Sequence, residues 1–228
     1  MSLAGSWEKH ADAWIRWARG SPHDGFADGT WPALRAMLPE PAPGPVIDLG
    51  CGEGRGSREL RALGHQVVGA DHSATLTRAA RASCPAIPVL RADAAALPFA
   101  TRSAALVVAC MSLLDFDDFA GAVAEIGRVL RPGGQVCLAV VHPFISALDE
   151  DTLHPASFRV SSPYLRARRY TDRVERDGMT MTFSSMHRPL SDYTRALFGQ
   201  GMVITALSEG GDGMIPWLLA MRADKLPR

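Results

Sequence analysis

Three aspartates, each at the end of a predicted strand, are the residues of this chain best suited to hold a small polar ligand. Asp48 follows the apolar pair Val46 and Ile47, Asp71 ends the stretch VVGAD, and Asp93 ends VLRAD. In an open α/β sheet the carboxyl ends of parallel strands meet at one edge, and ligands bind there. The three carboxylates are therefore predicted to line one binding site.

A glycine-rich turn, DLGCGEGRG, follows the first of these strands. Its glycines occupy alternate positions: Gly50, Gly52, Gly54 and Gly56. The dinucleotide fingerprint G-x-G-x-x-G does not fit, because Arg55 or Ser57 stands where the third glycine is required. An NAD(P)-dependent reductase is therefore disfavoured.

The chemistry of the three acids indicates a different ligand. Asp48 would repel a pyrophosphate and attract an ammonium group. A carboxylate at Asp71 can accept hydrogen bonds from both ribose hydroxyls, and one at Asp93 can accept from the amino group of a purine. Together they favour an adenosine that carries an amino acid.

The elements that position these acids alternate along the chain. Strands are predicted in PVIDLG, HQVVGAD, IPVLRAD, ALVVACM and QVCLAVV, with helices between them. The strands are continuous apolar runs, which favours a mainly parallel sheet covered on both faces. The last two strands, MVITALS and WLLAMRA, are joined by a short glycine-rich segment and must be antiparallel. The fold class is α/β, a doubly wound Rossmann-like sheet of seven strands with an antiparallel C-terminal hairpin.

One domain over residues 1–228 is predicted, with two additions to the sheet. Residues 1–40 form an N-terminal helical lid, in which Ser6 is the predicted N-cap of the first helix. Residues 145–185 are polar, arginine-rich and weakly periodic, and we interpret them as an insertion that caps the substrate site.

Composition narrows the class of protein. The formal net charge is zero, with 24 basic and 24 acidic residues, so nucleic acid is not an expected partner. The four cysteines are scattered without a CxxC pair, which favours a reduced, cytoplasmic protein. Neither a signal peptide nor a membrane-spanning apolar run is recognised, so no membrane association is expected, and the chain is expected to be a monomer or homodimer.

The motifs in their order resemble class I S-adenosylmethionine-dependent methyltransferases. VIDLGCGEGRGS, VVGADHS, RADAAALPF and EIGRVLRPGGQVCLAV match successive motifs of that family. MSLLDFDD, HPF and HRPLSDY resemble its small-molecule, methyltransferase type 11-like members. The resemblance implies S-adenosyl-L-methionine as cofactor, S-adenosyl-L-homocysteine as product, and methyl transfer to an O, N or C atom of a small-molecule acceptor. A non-catalytic S-adenosylmethionine-binding regulator is the alternative.

The resemblance also implies which residues contact the cofactor. Asp48 and the turn should line its methionine end, Asp71 its ribose, and His72 and Asp93 its adenine, while Trp14 closes over it. The full set is Trp14, Asp48, Gly50, Cys51, Gly52, Gly54, Asp71, His72, Asp93, Ala94, Met111 and Ser112.

A general base would speed the reaction of an acceptor that must lose a proton, so we ask which residue could act as one. His142 is the first choice: it directly follows strand five, and Pro143 restricts it to extended geometry. Asp115 and His187 are second choices; His23 and His154 are further candidates. No metal is expected: the run DFDD is acidic, but metal-dependent relatives need carboxylates from several strand ends arranged around a catechol, and nothing in the sequence specifies that arrangement.

Overall fold

The computed structural model describes residues 1–20, 24–148, 163–211 and 215–227. Its α-helices are α1 (Leu3–Arg19), α2 (Trp31–Arg35), α3 (Arg55–Ala62), α4 (Ala74–Ser83), α5 (Phe119–Val129) and α6 (Leu190–Gly199). A π-helical turn covers Phe26–Thr30, and 3-10 turns cover Leu113–Asp115 and Ile145–Ala147. The strands are β1 (Pro45–Leu49), β2 (Gln66–Asp71), β3 (Val89–Arg91), β4 (Ala104–Cys110), β5 (Leu130–Val141), β6 (Arg168–Arg176), β7 (Met179–His187), β8 (Met202–Gly211) and β9 (Pro216–Lys225).

The main sheet has seven strands in the order β3-β2-β1-β4-β5-β9-β8. Strands β1 to β5 pair in parallel, whereas β9 is antiparallel to both β5 and β8. The order reverses between β1 and β4, and the crevice outside the carboxyl ends of the strands at that point is the usual ligand site of such sheets. The predicted Rossmann-like fold with an antiparallel C-terminal hairpin is confirmed.

Burial on both faces explains why the central strands are continuous apolar runs. Along β1, Val46 belongs to one buried cluster and Ile47 to the other, so successive side chains point to opposite faces. Val123 of α5 and Leu197 of α6 cover the face of Ile47, whereas Leu60 of α3 covers the face of Val46. The core therefore has two layers that hold the sheet rigid below the crevice.

The N-terminal helix begins earlier than predicted. Its N-cap is Ser2, whose side chain accepts a hydrogen bond from the backbone of Gly5 at 3.0 Å. Ser6, the predicted cap, lies inside the helix, is buried, and donates a hydrogen bond to Ser184 of β7 at 2.9 Å. Ser6 thus joins the helix to β7.

Part of the predicted insertion is a regular β-hairpin. Strands β6 and β7 pair antiparallel over their full length and form a separate two-stranded sheet. Asp177 and Gly178 connect them with positive φ angles of 50° and 73°, as a two-residue type I′ turn requires. Residues 149–162 of the insertion lie outside the described residues. Within the described ranges, no helix is both long and apolar enough to cross a membrane.

Candidate active site

A cavity of about 590 Å³ lies at the carboxyl edge of the sheet. The ends of β1, β2 and β4 form its floor, and α1, β6 and β7 contribute the residues that cover it. Asp48, Asp71 and Asp93 all line it, as do eight of the other nine residues predicted to contact a cofactor. The exception is Gly54. Gly54 instead caps α3 with a φ of 89°.

Close packing beneath the cavity explains why glycine occupies the turn. Gly50 has a φ of 72°, and a Cβ added there would lie 2.3 Å from the Cβ of Ser112. Ser112 is fixed in turn, because its hydroxyl donates to the carbonyl of Leu49 at 2.6 Å. The β1 turn and the loop after β4 therefore meet without a side chain between them.

Asp48 lies at the bottom of the cavity, 2% exposed. The hydroxyl of Ser57 donates to its Oδ2 at 2.5 Å. Burial raises the pKa of Asp48 to about 6, and the Ser57 hydrogen bond opposes that rise. Gly56 leaves room for the carboxylate, since a Cβ there would approach Oδ2 to 3.3 Å. Asp48 is thus a buried acid that a positively charged ligand group would stabilise in its ionised form.

Two backbone groups hold the carboxylate of Asp71 in place. The Gly52 N–H donates to Oδ2 and the Ser73 N–H donates to Oδ1, each at 2.9 Å. Burial still raises the pKa of Asp71. A carboxylate has about four acceptor positions, so two remain after these bonds, which is the number that a ribose diol needs.

The adenine side of the predicted site is built from neighbouring loops. His72 is exposed on the rim, and its carbonyl accepts from Arg91 at 3.0 Å. Asp93 is exposed and accepts from the Ala95 N–H at 2.9 Å, while Ala94 is buried beside it.

Cys51 and Met111, which are also predicted to contact the cofactor, lie where β1 and β4 reach the cavity. The buried Cys51 donates its backbone N–H to the carbonyl of Ala70 at 3.1 Å. Met111 has a φ of 54°, in the left-handed region, and its N–H donates to Ala139 at 2.7 Å. Both residues continue strand pairing up to the edge of the cavity.

Aromatic side chains of α1 and β7 cover the cavity. The rings of Trp7, Trp14 and Phe183 meet edge to face, with centroids 5.7 to 6.3 Å apart. Trp14 lies directly over the glycine turn, because a Cβ on Gly52 would be 3.2 Å from its Nε1. Trp14, Trp7 and Phe183 together cover this part of the cavity, and the lid function of Trp14 stays a prediction.

An ion pair ties the lid to the turn. Arg55, the first residue of α3, pairs with Asp24. Its guanidinium lies 4.8 Å from the ring of Trp14 and 4.0 Å from that of Phe26. Asp24 therefore pairs with Arg55. The further candidate bases His23 and His154 lie outside the described residues.

Asp115 is the candidate base that lines the cavity. The hydroxyl of Ser185 donates to its Oδ1 at 2.6 Å, and the phenol of Tyr170 and the indole of Trp7 lie beside it. Burial raises the pKa of Asp115 to about 8, against the opposing effects of Ser185 and of the positive charge on Arg188. A base whose pKa lies near the operating pH suits general acid–base catalysis.

The structure corrects the prediction that His142 is the base. His142 is absent from the cavity lining, and both ring nitrogens are engaged. The Phe144 N–H donates to Nδ1 at 3.1 Å, and Nε2 lies 2.9 Å from a carboxylate oxygen of Glu209, to which it donates. Neither nitrogen keeps a lone pair for an acceptor proton, so the ring fastens the chain after β5 to β8.

His187 is corrected for the same reason. It is fully buried away from the cavity lining. Its Nε2 donates to the carbonyl of Tyr164 at 2.8 Å, and its Nδ1, 2.7 Å from the hydroxyl of Ser146, accepts from it. Burial lowers the pKa of His187. It joins the base of the hairpin to the segment after β5.

Several cavity residues were not predicted. Tyr170, Asp172, Val174 and Arg176 line the cavity at every second position of β6, and Phe183 and Ser185 do so on β7. Lining residues at every second position are typical of a strand that turns one face toward a site, so the alternation in the sequence could have indicated these residues. Among the described residues no group of three or more His, Cys, Asp or Glu side chains is arranged to hold a metal ion.

Comparison with known proteins shows similarity to methyltransferases. Residues 47–138 match the family model described as a methyltransferase domain. A demethylmenaquinone methyltransferase of Corynebacterium kroppenstedtii is 34% identical over 113 residues, which cover 49% of this chain and 48% of that protein. A malonyl-acyl-carrier-protein O-methyltransferase of Enterobacter lignolyticus is 38% identical over 102 residues, which cover 45% of this chain and 41% of that protein. The chain thus spans about half the length, or less, of these curated relatives.

A solved structure extends the similarity beyond the matched segment. The crystal structure of an S-adenosylmethionine-dependent methyltransferase from Mesorhizobium loti gives a TM-score of 0.67 at 26% identity and covers 85% of this chain and 96% of that one. Residues 47–138 thus match a methyltransferase domain, and the fold is that of an S-adenosylmethionine-dependent methyltransferase.

Proposed function

We propose that the protein transfers a methyl group from S-adenosylmethionine to an O, N or C atom of a small-molecule acceptor. One observation carries the proposal: Asp48, Asp71 and Asp93 line a single cavity in which the glycine turn brings the backbone against the ligand space. Its volume of about 590 Å³ is in the range of cofactor and small-molecule sites.

The residues fit the cofactor at each of its ends. The ammonium group of the methionine part would lie near Asp48, and the ribose hydroxyls would donate to the two remaining acceptor positions of Asp71. The adenine would lie between His72 and Ala94, within reach of Asp93. Trp14 and Trp7 present aromatic rings to the middle of the cavity, where a sulfonium would gain from cation–π attraction.

When bound, S-adenosylmethionine supplies the methyl group on a positively charged sulfur, so no protein nucleophile is required. The chain's contribution is then alignment and exclusion of water. Helix α1 and the β6–β7 hairpin cover the cavity, and the rigid strand ends fix its floor. Asp115 takes a proton from an acceptor that must lose one.

The similar proteins support a metabolite-like acceptor. The two curated relatives are named for demethylmenaquinone and for malonyl-acyl-carrier protein, and the second is an O-methyltransferase. The match ends at residue 138, before the hairpin that lines the acceptor side of the cavity. The acceptor of this chain is therefore expected to depend on β6 and β7.

The test is cofactor binding followed by transfer of a labelled methyl group. Calorimetry should show micromolar binding of S-adenosylmethionine and S-adenosylhomocysteine to the full chain, and label should move to a member of a panel of phenols, amines and carboxylic acids. Tight binding of NAD without binding of S-adenosylmethionine would overturn the proposal. Cofactor binding with transfer to no acceptor would instead favour the non-catalytic regulator.

A further inference from the structure

Asp115 differs from Asp24 and Asp117, two other acids of the cavity, in what surrounds its carboxyl group. Asp24 pairs with Arg55, and Asp117 accepts from the backbone of Leu3 at 2.8 Å, at the start of α1. The hydrogen bond at Oδ1 of Asp115 comes from a neutral hydroxyl, that of Ser185. A cationic ligand group beside Asp115 would therefore stabilise the ionised form of its carboxyl group.

The nearby cation, Arg188, does not line the cavity and so does not stand where a ligand would meet Asp115. Arg188 is buried and donates to the carbonyls of Leu114 and Phe116 at 3.3 and 3.1 Å. Its guanidinium lies 4.6 Å from the ring centroid of Phe119. Arg188 therefore holds the loop after β4 through hydrogen bonds to its backbone, and a ligand in the cavity could still contact Asp115.

Aromatic rings surround the same part of the cavity. Trp7 and Phe183 stand 6.3 Å apart with their ring planes 67° from parallel, and both line the cavity, as does Tyr170. Ring faces attract cations, and a carboxylate set among aromatic rings is a recurring way to bind an ammonium group. A buried acid that lines the cavity together with several aromatic rings favours a cationic acceptor.

We infer that the methyl acceptor is an amine, which binds as its ammonium ion against Asp115 between Trp7, Phe183 and Tyr170. The inference rests on the proposed function and specifies its acceptor. The ammonium nitrogen gives one proton to a carboxylate oxygen of Asp115, which later passes to water. The lone pair freed on nitrogen would form the N–C bond while the S–C bond of the sulfonium breaks and its electron pair stays on the now neutral sulfur. The product would leave as the methylated ammonium ion.

A carboxylate acceptor is disfavoured by the charges that line the cavity. Within the described residues, the lining arginines are Arg55, which is paired with Asp24, and Arg176, which lies at the hairpin end of β6. A carboxylate near Tyr170 would instead face Asp115 and Asp172. Like charges in a partly buried site repel strongly, so this part of the cavity selects against anions.

The test compares three ligands of nearly equal shape on the full chain: 2-phenylethylamine, 2-phenylethanol and 3-phenylpropanoate. Their affinities are measured by ligand-observed NMR titration, with and without saturating S-adenosylhomocysteine, whose sulfur is neutral. The amine should bind at least about tenfold more tightly than the alcohol, and the carboxylate most weakly. Asp115→Asn should abolish the preference for the amine, whereas Asp12→Asn, on the exposed face of α1, should leave it unchanged.

The outcomes separate this inference from the proposed function. Equal affinities for amine and alcohol, no amine binding, or a preference that survives Asp115→Asn would each overturn the inference, even if S-adenosylhomocysteine binds. Failure of S-adenosylhomocysteine to bind would count against the proposed function, while the amine preference is still measured on the protein alone.

Discussion

Replacing Gly50 by alanine tests whether the close approach of the β1 turn to the loop after β4 is essential to the fold. The added Cβ would lie 2.3 Å from the Cβ of Ser112, whereas carbon atoms in contact are normally about 3.5–4.0 Å apart. A change of rotamer cannot relieve this contact, because a Cβ is fixed by its backbone. One of the two segments must move by more than about 1 Å, which we expect to cost roughly 1–3 kcal/mol.

Gly133 provides a matched control for the backbone contribution. Its φ is also 72°, yet a Cβ added there meets no atom within 4 Å. Both Gly50→Ala and Gly133→Ala pay the cost of a left-handed alanine, about 1–2 kcal/mol, and both gain the same reduction in unfolded-chain entropy. The difference between them therefore isolates the contact with Ser112.

Urea denaturation of the two variants measures this difference, and Ser112→Gly completes the cycle. Ser112→Gly removes the opposing Cβ, so Gly50→Ala should cost roughly 1–3 kcal/mol less in that background than in the wild type. If Gly50→Ala and Gly133→Ala lower the free energy of unfolding equally, or if Ser112→Gly does not lessen the cost, the reasoning from close approach is refuted.

Three further predictions concern the site. Asp71→Asn should weaken S-adenosylmethionine binding about tenfold or more in calorimetry, because its oxygens lose their charge, while Asp12→Asn should not; equal affinities would remove the ribose assignment. The pKa of Asp115 is about 8 in the folded protein and 3.8 ordinarily, so between these values the folded protein keeps a proton that the unfolded chain releases. The protonated carboxyl group therefore contributes stability that is fully present below about pH 4 and is lost as the pH rises to 8. The free energy of unfolding of Asp115→Asn should thus increase relative to wild type between pH 5 and pH 9, by more than about 2 kcal/mol in urea titrations, and a constant difference would contradict the raised pKa. His142→Gln should lower the melting temperature by a few degrees and leave turnover of the folded protein within a few-fold of wild type, whereas a loss of about 100-fold would restore His142 as the base.

The sheet is readable from sequence because burial on both faces leaves a strong local signal. Strand β4 and residues 136–141 of β5 are uninterrupted apolar runs, and β1 is apolar except for Asp48. The β6–β7 hairpin was missed because one of its faces meets solvent, so it reads as polar and arginine-rich. The signals were the two-residue turn at Asp177 and Gly178 and the alternation that puts Tyr170 and Asp172 on one face.

Some side chains of the site are positioned by their neighbours in sequence, whereas others are oriented by residues far away in the chain. Asp48 and Asp71 follow strands directly, so their positions are set by the adjacent sequence. The position of His142 relative to the cavity was mispredicted because the direction of a side chain at a strand end depends on distant partners. His142 turns toward Glu209, 67 residues away, and Asp115 is oriented by Ser185, 70 residues away. Neither pairing has a local sequence signal.

Helix α1 links the parts of the site that the sheet alone does not connect. Asp117 accepts from the backbone of Leu3, Glu8 accepts from Ser73 and from Thr75, and Arg19 pairs with Glu53 of the glycine turn at 2.8 Å. These contacts reach the loop after β4, the loop after β2 and the turn after β1. The same helix packs against β7 through the aromatic rings that cover the cavity. Because one helix contacts the segments after β1, β2 and β4 and also the hairpin, we expect a ligand that orders α1 to order these segments together.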